Sequence, residues 1–566
     1  MSAGDWIEKE VEERRQMIGG IDNMWLLLSD ATDEEFNPVC ALSSHDGVEL
    51  TNLHRSARKL QKKFPKYHQR LTSVGRKLHG ARFEDDPDFD INNHVHSVRL
   101  PEPAGKRELD DLMGKFIAQD WDLRRPLWEM ILVENYRDDD GAECAIISRG
   151  HHTLADGQGF VISQLYITSY HDELVKLMNS TSSKLHAMKN GRIQPSKVNS
   201  LLRPLDRFAD DDNVMIAPLI QLCLASLFWI TYAVSFGISL FISVYQGFIQ
   251  VVLFLLTCWR VEMLTAPQHG PRVHDREFSS SRTVTLDDIR LCQKAFSGPY
   301  PGSEVKGSKT GQVSAKSKIG HVTLNDLICS VMVDVLAEEL ATREKEISPW
   351  GITKEFLKKI LPSPIGFFIP ISVRKPGDWS MRNLSTGSMV YLDPTPLDAP
   401  VNPKTLHKHI HECRSALSLL KHSLIPRLLF HLTQLSGQAP ALWPIPFGLV
   451  KHSRNFIRKW VLVPLIHFAL QSCTFGLSLI SNVPGPAKNR ITLEGVEVIR
   501  WTALPPQGGK GTLGMGIISY AGSLCISVAA DKVPASEGVA RRICERFEKR
   551  FQMYLQCAKE VLEHAD

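Results

Sequence analysis

Residues 151–159 read HHTLADGQG. Two adjacent imidazoles, a carboxylate and two glycines stand in nine positions, and several chemistries use such groups. A metal site is the first to consider. Neighbouring side chains on a strand point to opposite faces, so His151 and His152 cannot share an ion if they extend the preceding strand. Ligands at i, i+1 and i+5 match no established metal spacing, and no metal is expected. Acid–base chemistry fits better. A neutral imidazole titrates near working pH and can take a proton from a hydroxyl as that hydroxyl attacks. His152, on the inward face, is then the candidate base. His151, facing away, braces the loop, and Asp156 fixes the loop or orients an imidazole. Gly157 permits a backbone approach that a side chain would block. The competing reading is a pair of structural histidines in a turn.

The group must be held by its surroundings. LWEMILVE and AECAIISR, separated by the turn RDDDG, predict a strand hairpin that ends at His151. FVISQLYITSYHDELVKLM predicts helix immediately after, so the histidines fall on a strand-to-helix turn. Further strands are expected at GIDNMWLLL, INNHVHSVRL, IGFFIPISVR, GSMVYLDP, ITLEGVEVIRW, LGMGIISYAG and SLCISVAAD. Helices are expected at ELDDLMGKFIAQ, at HVTLNDLICSVMVDVLAEEL with Thr323 as its N-cap, at LHKHIHECRSALSLLK, and at the C-terminal GVARRICERFEKRFQMYLQCAKEVL. The loop PYPGSEVKGSKTGQVSAKSKIG separates elements of the second half. Strands and helices mixed in both halves of 566 residues predict an α/β protein of two lobes.

Between Asp212 and Arg260 no charged residue occurs. One membrane span takes about 20 apolar residues, so residues 213–259 suit two spans with a reversal near Ser235 and Gly237, or helices lying in the membrane plane. A buried soluble helix pair is the alternative. A single crossing is disfavoured, because it would put the two halves in different compartments. Residues 449–471, LVKHSRNFIRKWVLVPLIHFALQ, read equally as a basic membrane-surface element or as a core helix with one solvated basic face. The N-terminus, MSAGDWIEKEVEERRQM, reads as a surface helix and lacks the apolar core of a secretory signal. Net charge is +4, too weak to suggest a nucleic-acid partner. Eleven dispersed cysteines without a C-x-x-C pair read as reduced thiols facing a cytosol.

The pattern H-H-x-x-x-D-G resembles the signature of condensation-domain and chloramphenicol-acetyltransferase-like acyltransferases. More narrowly, the chain resembles the wax ester synthase/diacylglycerol acyltransferase family. IDNMWL, RRPLWEMILVE (124–134), TLNDLICSVM, PISVR (370–374) and SNVPGP (481–486) resemble further motifs of that family in order, over about residues 20–560. The resemblance implies two acetyltransferase-like lobes, 1–200 and 260–566, with a reaction tunnel between them and the hydrophobic insert 213–259 as a membrane anchor. It implies His152 as general base, Asp156 in a structural role with Arg374 as a candidate partner, Asn325 near the reaction centre, and Asn482 either lining the tunnel or helping to hold the lobes together. The implied partners are acyl-CoA as co-substrate, a fatty alcohol or diacylglycerol, and membrane lipids, with no further cofactor. The implied place is the cytosolic face of a membrane, the endoplasmic reticulum in a eukaryote. For Leu127 and Trp128 core packing is expected. A condensation domain is the second enzyme reading, but the chain has no room for a carrier domain. A silent lipid-binding scaffold of the same fold is the non-enzymatic one.

Overall fold

The computed structural model describes residues 18–32, 37–72, 81–190, 216–257, 273–300, 321–342, 364–396, 401–442, 478–507 and 511–564, bar a few isolated positions. The expected N-terminal helix, the loop at 301–320 and most of 449–471 lie outside them.

The chain opens with α1 (Gly20–Thr32), β1 (Val39–Ser44) and α2 (Leu50–Lys63), then β2 (Gln69–Thr72), β3 (Arg82–Asp85), β4 (Val95–Val98) and α3 (Lys106–Ala118). The expected hairpin follows as β5 (Trp128–Val133) and β6 (Cys144–Gly150), antiparallel with Trp128 opposite Gly150. The histidine turn leads into α4 (Gly157–Tyr166) and α5 (His171–Asn190), and then into a single helix α6 (Ile216–Thr257). The second half comprises β7 (Arg276–Ser280), β8 (Val284–Thr285), α7 (Leu286–Phe296), α8 (Leu324–Ala341), β9 (Ile365–Ser372), β10 (Ser385–Leu392), α9 (Pro403–His422) and α10 (Ile425–Leu442). It closes with β11 (Ser478–Pro484), β12 (Thr492–Leu493), β13 (Val496–Leu504), β14 (Leu513–Tyr520), β15 (Ser523–Asp531) and α11 (Val539–Glu563).

Two mixed sheets organise these elements. One has the order β12-β13-β1-β6-β5-β4, the other β10-β9-β11-β14-β15-β7, with β8 on β15. Around the second sheet α7, α8, α9 and α11 bury Phe296, Leu327, Val331, Ile410, Phe547 and Phe551. The helix expected at ELDDLMGKFIAQ packs Leu109, Met113, Phe116 and Ile117 of α3 against Ile131 and Ile147 of the first sheet. Thr323 caps α8, its hydroxyl accepting from Asp326 N–H while the Asp326 carboxylate accepts from Thr323 N–H.

Three expectations differ from this architecture. GIDNMWLLL is a helix, not a strand. The apolar stretch MWLLL is too short to carry a period that separates the two states, and Asn23 N–H closes the first turn on Gly19 O. The reversal at Ser235 and Gly237 does not occur. Residues 216–257 form one helix about 60 Å long, because neither Ser nor one Gly costs enough to break so apolar a run. Finally, the second half does not keep its strands to itself. β12 and β13 lie in the first sheet, where β13 pairs antiparallel with β1 from Val39↔Leu504 onward.

Candidate active site

His151 and His152 follow β6 directly, and every residue of that strand is buried. Arg149, two residues earlier, anchors the strand end. Its guanidinium bonds Glu129 at 2.8 Å and the carbonyls of Phe116 and Gln119, and stacks on Trp121. The turn ends where Asp156 caps α4.

The two imidazoles have different environments. His151 Nδ1 accepts from Thr153 N–H at 3.1 Å, so the ring proton sits on Nε2, facing Ser29 Oγ at 3.1 Å. Burial pushes its pKa down to about 3, with the neighbouring His152 adding to the effect. It is a neutral, fully engaged side chain. His152 is also buried and its pKa also falls below the ordinary value, through burial, against the opposing pull of Asp156, its own main-chain carbonyl, Asn383 and Asp22. A neutral ring at pH 7 is the form that accepts a proton. Its Nδ1 is sealed from solvent and has no well-formed hydrogen bond among the described residues. Trp25 of α1 lies against the ring, with centroids 4.2 Å apart.

Asp156 binds three groups at once. Oδ1 accepts from Gly159 N–H and from Arg374 Nη2, both at 2.8 Å, and Oδ2 accepts from Leu384 N–H at 2.9 Å. Both side chains of the Asp156–Arg374 pair are buried. Arg374 also bonds the carbonyls of Ser380 and Arg382, which gathers residues 374–384 into a knot over the histidine turn. Gly157, read as the position needing glycine, would bring a methyl only into ordinary contact with Val483 at 3.6 Å. The crowded position is Gly159. A methyl there would lie 3.1 Å from Arg374 Nη2 and 3.3 Å from Asp156 Oδ1, inside the ion pair.

Asn482 of β11 donates to Asn325 Oδ1 of α8 at 2.6 Å. No hydrogen bond joins this pair to the histidine turn among the described residues; Val483, next to Asn482, stands where a methyl on Gly157 would meet it at 3.6 Å. Leu127 and Trp128 are fully buried, and the Trp128 indole donates to Tyr67 O.

A second ring of residues escaped the sequence reading. Asp22 Oδ1 accepts from the main-chain and side-chain N–H groups of Asn383, and Asn383 Nδ2 also lies 2.6 Å from His152 O. Lys66 Nζ, half-buried, donates to Asp22 Oδ2 at 3.1 Å and to the carbonyls of Thr153, Leu154 and Met381. Desolvation lowers its pKa, against the Asp22 carboxylate. Lys66 thus ties α1, the histidine turn and the 374–384 segment to one point. Asp22 stood inside the IDNMWL motif and could have been found there. Lys66 and Asn383 carried no local signal.

Comparison with known proteins agrees with this geometry. The wax ester synthase/diacylglycerol acyltransferase catalytic domain matches residues 31–202, and the WS/DGAT C-terminal domain matches 443–554, together half of the chain. A probable diacylglycerol O-acyltransferase of Mycobacterium tuberculosis is 31% identical over 137 residues, 23% of this chain and 29% of that protein. Another from the same organism is 36% identical over 93 residues, 16% of this chain and 33% of that protein. The chain therefore spans a third or less of these relatives' length. The solved wax ester synthase/diacylglycerol acyltransferase of Marinobacter aquaeolei VT8 shares the fold, with a TM-score of 0.52 at 16% identity, over 96% of this chain and 100% of that one. By its domain matches, its motifs and its fold, the chain belongs to the wax ester synthase/diacylglycerol acyltransferase family.

Proposed function

We propose that this chain is a membrane-associated O-acyltransferase that moves a long-chain acyl group from acyl-CoA to a lipophilic alcohol, giving wax ester from a fatty alcohol or triacylglycerol from diacylglycerol. The observation that carries the reading is His152 itself, a buried imidazole kept neutral at the junction of α1, β6 and the 374–384 segment. His152 takes the proton of the acceptor hydroxyl as its oxygen attacks the thioester carbonyl. The tetrahedral oxyanion collapses, the C–S bond breaks, and the imidazolium returns its proton to the departing thiolate of coenzyme A. Transfer is direct, so no acyl-enzyme forms. His151 and Asp156 position the turn through Ser29, Thr153, Gly159 and Arg374. Asn482 of β11 and Asn325 of α8, bonded to each other, would line the tunnel that admits acyl-CoA and alcohol.

The membrane association rests on α6. From Phe228 to Ile238 this helix is exposed all round, with Trp229 at 63% and Ile230 at 60%, and a helix apolar on every face belongs in lipid. β1, before the insert, pairs with β13, after it, so both halves stand on one side of any bilayer. The flanks 191–215 and 258–272 hold charged residues and no run of 20 apolar ones, so neither supplies a return crossing. α6 then lies in the interface plane, on the cytosolic face where acyl-CoA is found. Labelled palmitoyl-CoA offered with hexadecanol or diacylglycerol, with products separated by lipid class, tests the reading. Label in wax ester or triacylglycerol supports it. Background with both acceptors favours a silent lipid-binding protein of the same fold.

A further inference from the structure

Residues 413–442 contain Arg414, Lys421 and Arg427 and no Asp or Glu, and α6 contains no charge of either sign. These two stretches meet. Ser243 Oγ accepts from Leu424 N–H at 2.6 Å, and Ile425 lies against Gly247, where a methyl would stand 3.7 Å from its Cδ1. Gln250 donates to Ser388 Oγ and to Met389 O of β10, on which α10 also packs. Ser243 and Gln250 thus face their own protein, while Phe241, Val244 and Phe248 of the same stretch point away.

α10 begins at this joint. On its outer side Leu428, Leu432 and Leu435 are 58%, 49% and 59% exposed at i, i+4 and i+7, one stripe of the helix. Its inner side grips α1. A methyl on Gly20 would sit 1.9 Å from Gln434 O, one on Gly437 would sit 1.6 Å from Gly20 O, and Asn23 Nδ2 donates to Gly437 O at 2.7 Å. α1 in turn places Trp25 over His152 and Ser29 on His151. One helix therefore shows leucines to the outside and holds the helix that covers the candidate base.

We propose that α6 and α10 form one docking surface for an anionic lipid bilayer, and that seating α10 on the bilayer gives a membrane-dissolved acceptor its way past α1 to His152. Leucines beside cations without acids match an apolar interior under negative headgroups. A second copy fits worse, because a two-fold contact would set the same cationic, acid-free surfaces against each other.

The activity part of this proposal rests on the acyl-transfer reading; the binding part does not. The test uses the full chain and its Leu428→Gln/Leu432→Gln/Leu435→Gln variant. Flotation is measured with vesicles of phosphatidylcholine, alone or mixed with phosphatidylserine. CoA release is measured with diacylglycerol presented in those vesicles and with a short water-soluble alcohol. The expected result is preferential binding of the native chain to the mixed vesicles, a loss of about tenfold or more in the variant, a parallel loss with diacylglycerol, and little change with the soluble alcohol. Unchanged flotation overturns the docking surface, as does a native chain that forms a dimer shielding those leucines. Equal losses with both acceptors overturn the link to His152. If the native chain turns over neither acceptor, the acyl-transfer reading fails and flotation alone decides the docking.

Discussion

Among single residues, His152 and its cover make the sharpest predictions. His152→Ala should lower turnover by roughly 10²- to 10⁴-fold, the usual worth of a positioned general base. Trp25→Ala exposes the imidazole, and relieving burial raises its pKa toward the ordinary value. The acid limb of the kcat/KM profile should therefore move to higher pH in that variant, while a merely structural Trp25 would leave the limb in place. Arg374→Met strands the buried Asp156 carboxylate and should cost about 3 kcal/mol in urea unfolding. Histidines 151 and 152 have depressed pKa values, so the unfolded chain binds more protons below about pH 6.5. Stability should fall as pH drops below that point, by up to about 1.4 kcal/mol per pH unit for each, continuing toward pH 3 for His151. Flat unfolding midpoints between pH 7 and 5 would contradict this. His151, His152 and Asp156 were legible because adjacent residues on a strand-to-helix turn carry their geometry with them. Lys66 and Asn383 were not, since a half-buried lysine and a buried asparagine acquire meaning only when α1 and the 374–384 segment fold over the turn.

The elements were legible wherever a period or a cap marked them. The β5–β6 hairpin, α3, α8 with its Thr323 cap, and α11 follow from patterns within one segment. α1 did not, because a short apolar run such as MWLLL reads alike as helix and strand. α6 misled for a related reason: length alone argued for two spans, and only the absence of a strong breaker at Ser235 and Gly237 keeps it whole. Gly159 belongs to this scale, because it lets the first turn of α4 approach Arg374. Gly159→Ala must push Arg374 or the turn aside, at about 1–3 kcal/mol, whereas Gly157→Ala should be tolerated. Thermal unfolding of the two variants in parallel checks the contrast.

At the scale of the molecule, a mixed α/β plan was readable from the alternation of strands and helices. The exchange of β12 and β13 into the first sheet was not, since sequence order does not say which sheet a late strand joins. That exchange draws the His152 turn and the second half together, and under the proposed membrane association it sets both halves on one side of the bilayer. Both flanks of α6 should accordingly react with an impermeant label from the same side of sealed vesicles, and labelling from opposite sides would exclude the in-plane helix. The central claim is that His152 performs the transfer within this assembly. The most direct measurement is CoA release from palmitoyl-CoA with a saturating lipophilic alcohol, for the native chain and for His152→Gln, each checked for an unchanged unfolding temperature. The account predicts steady release from the native chain, matched mole for mole by ester, and near-background release from the folded variant. Equal release from both would contradict it and move the chemistry to another group.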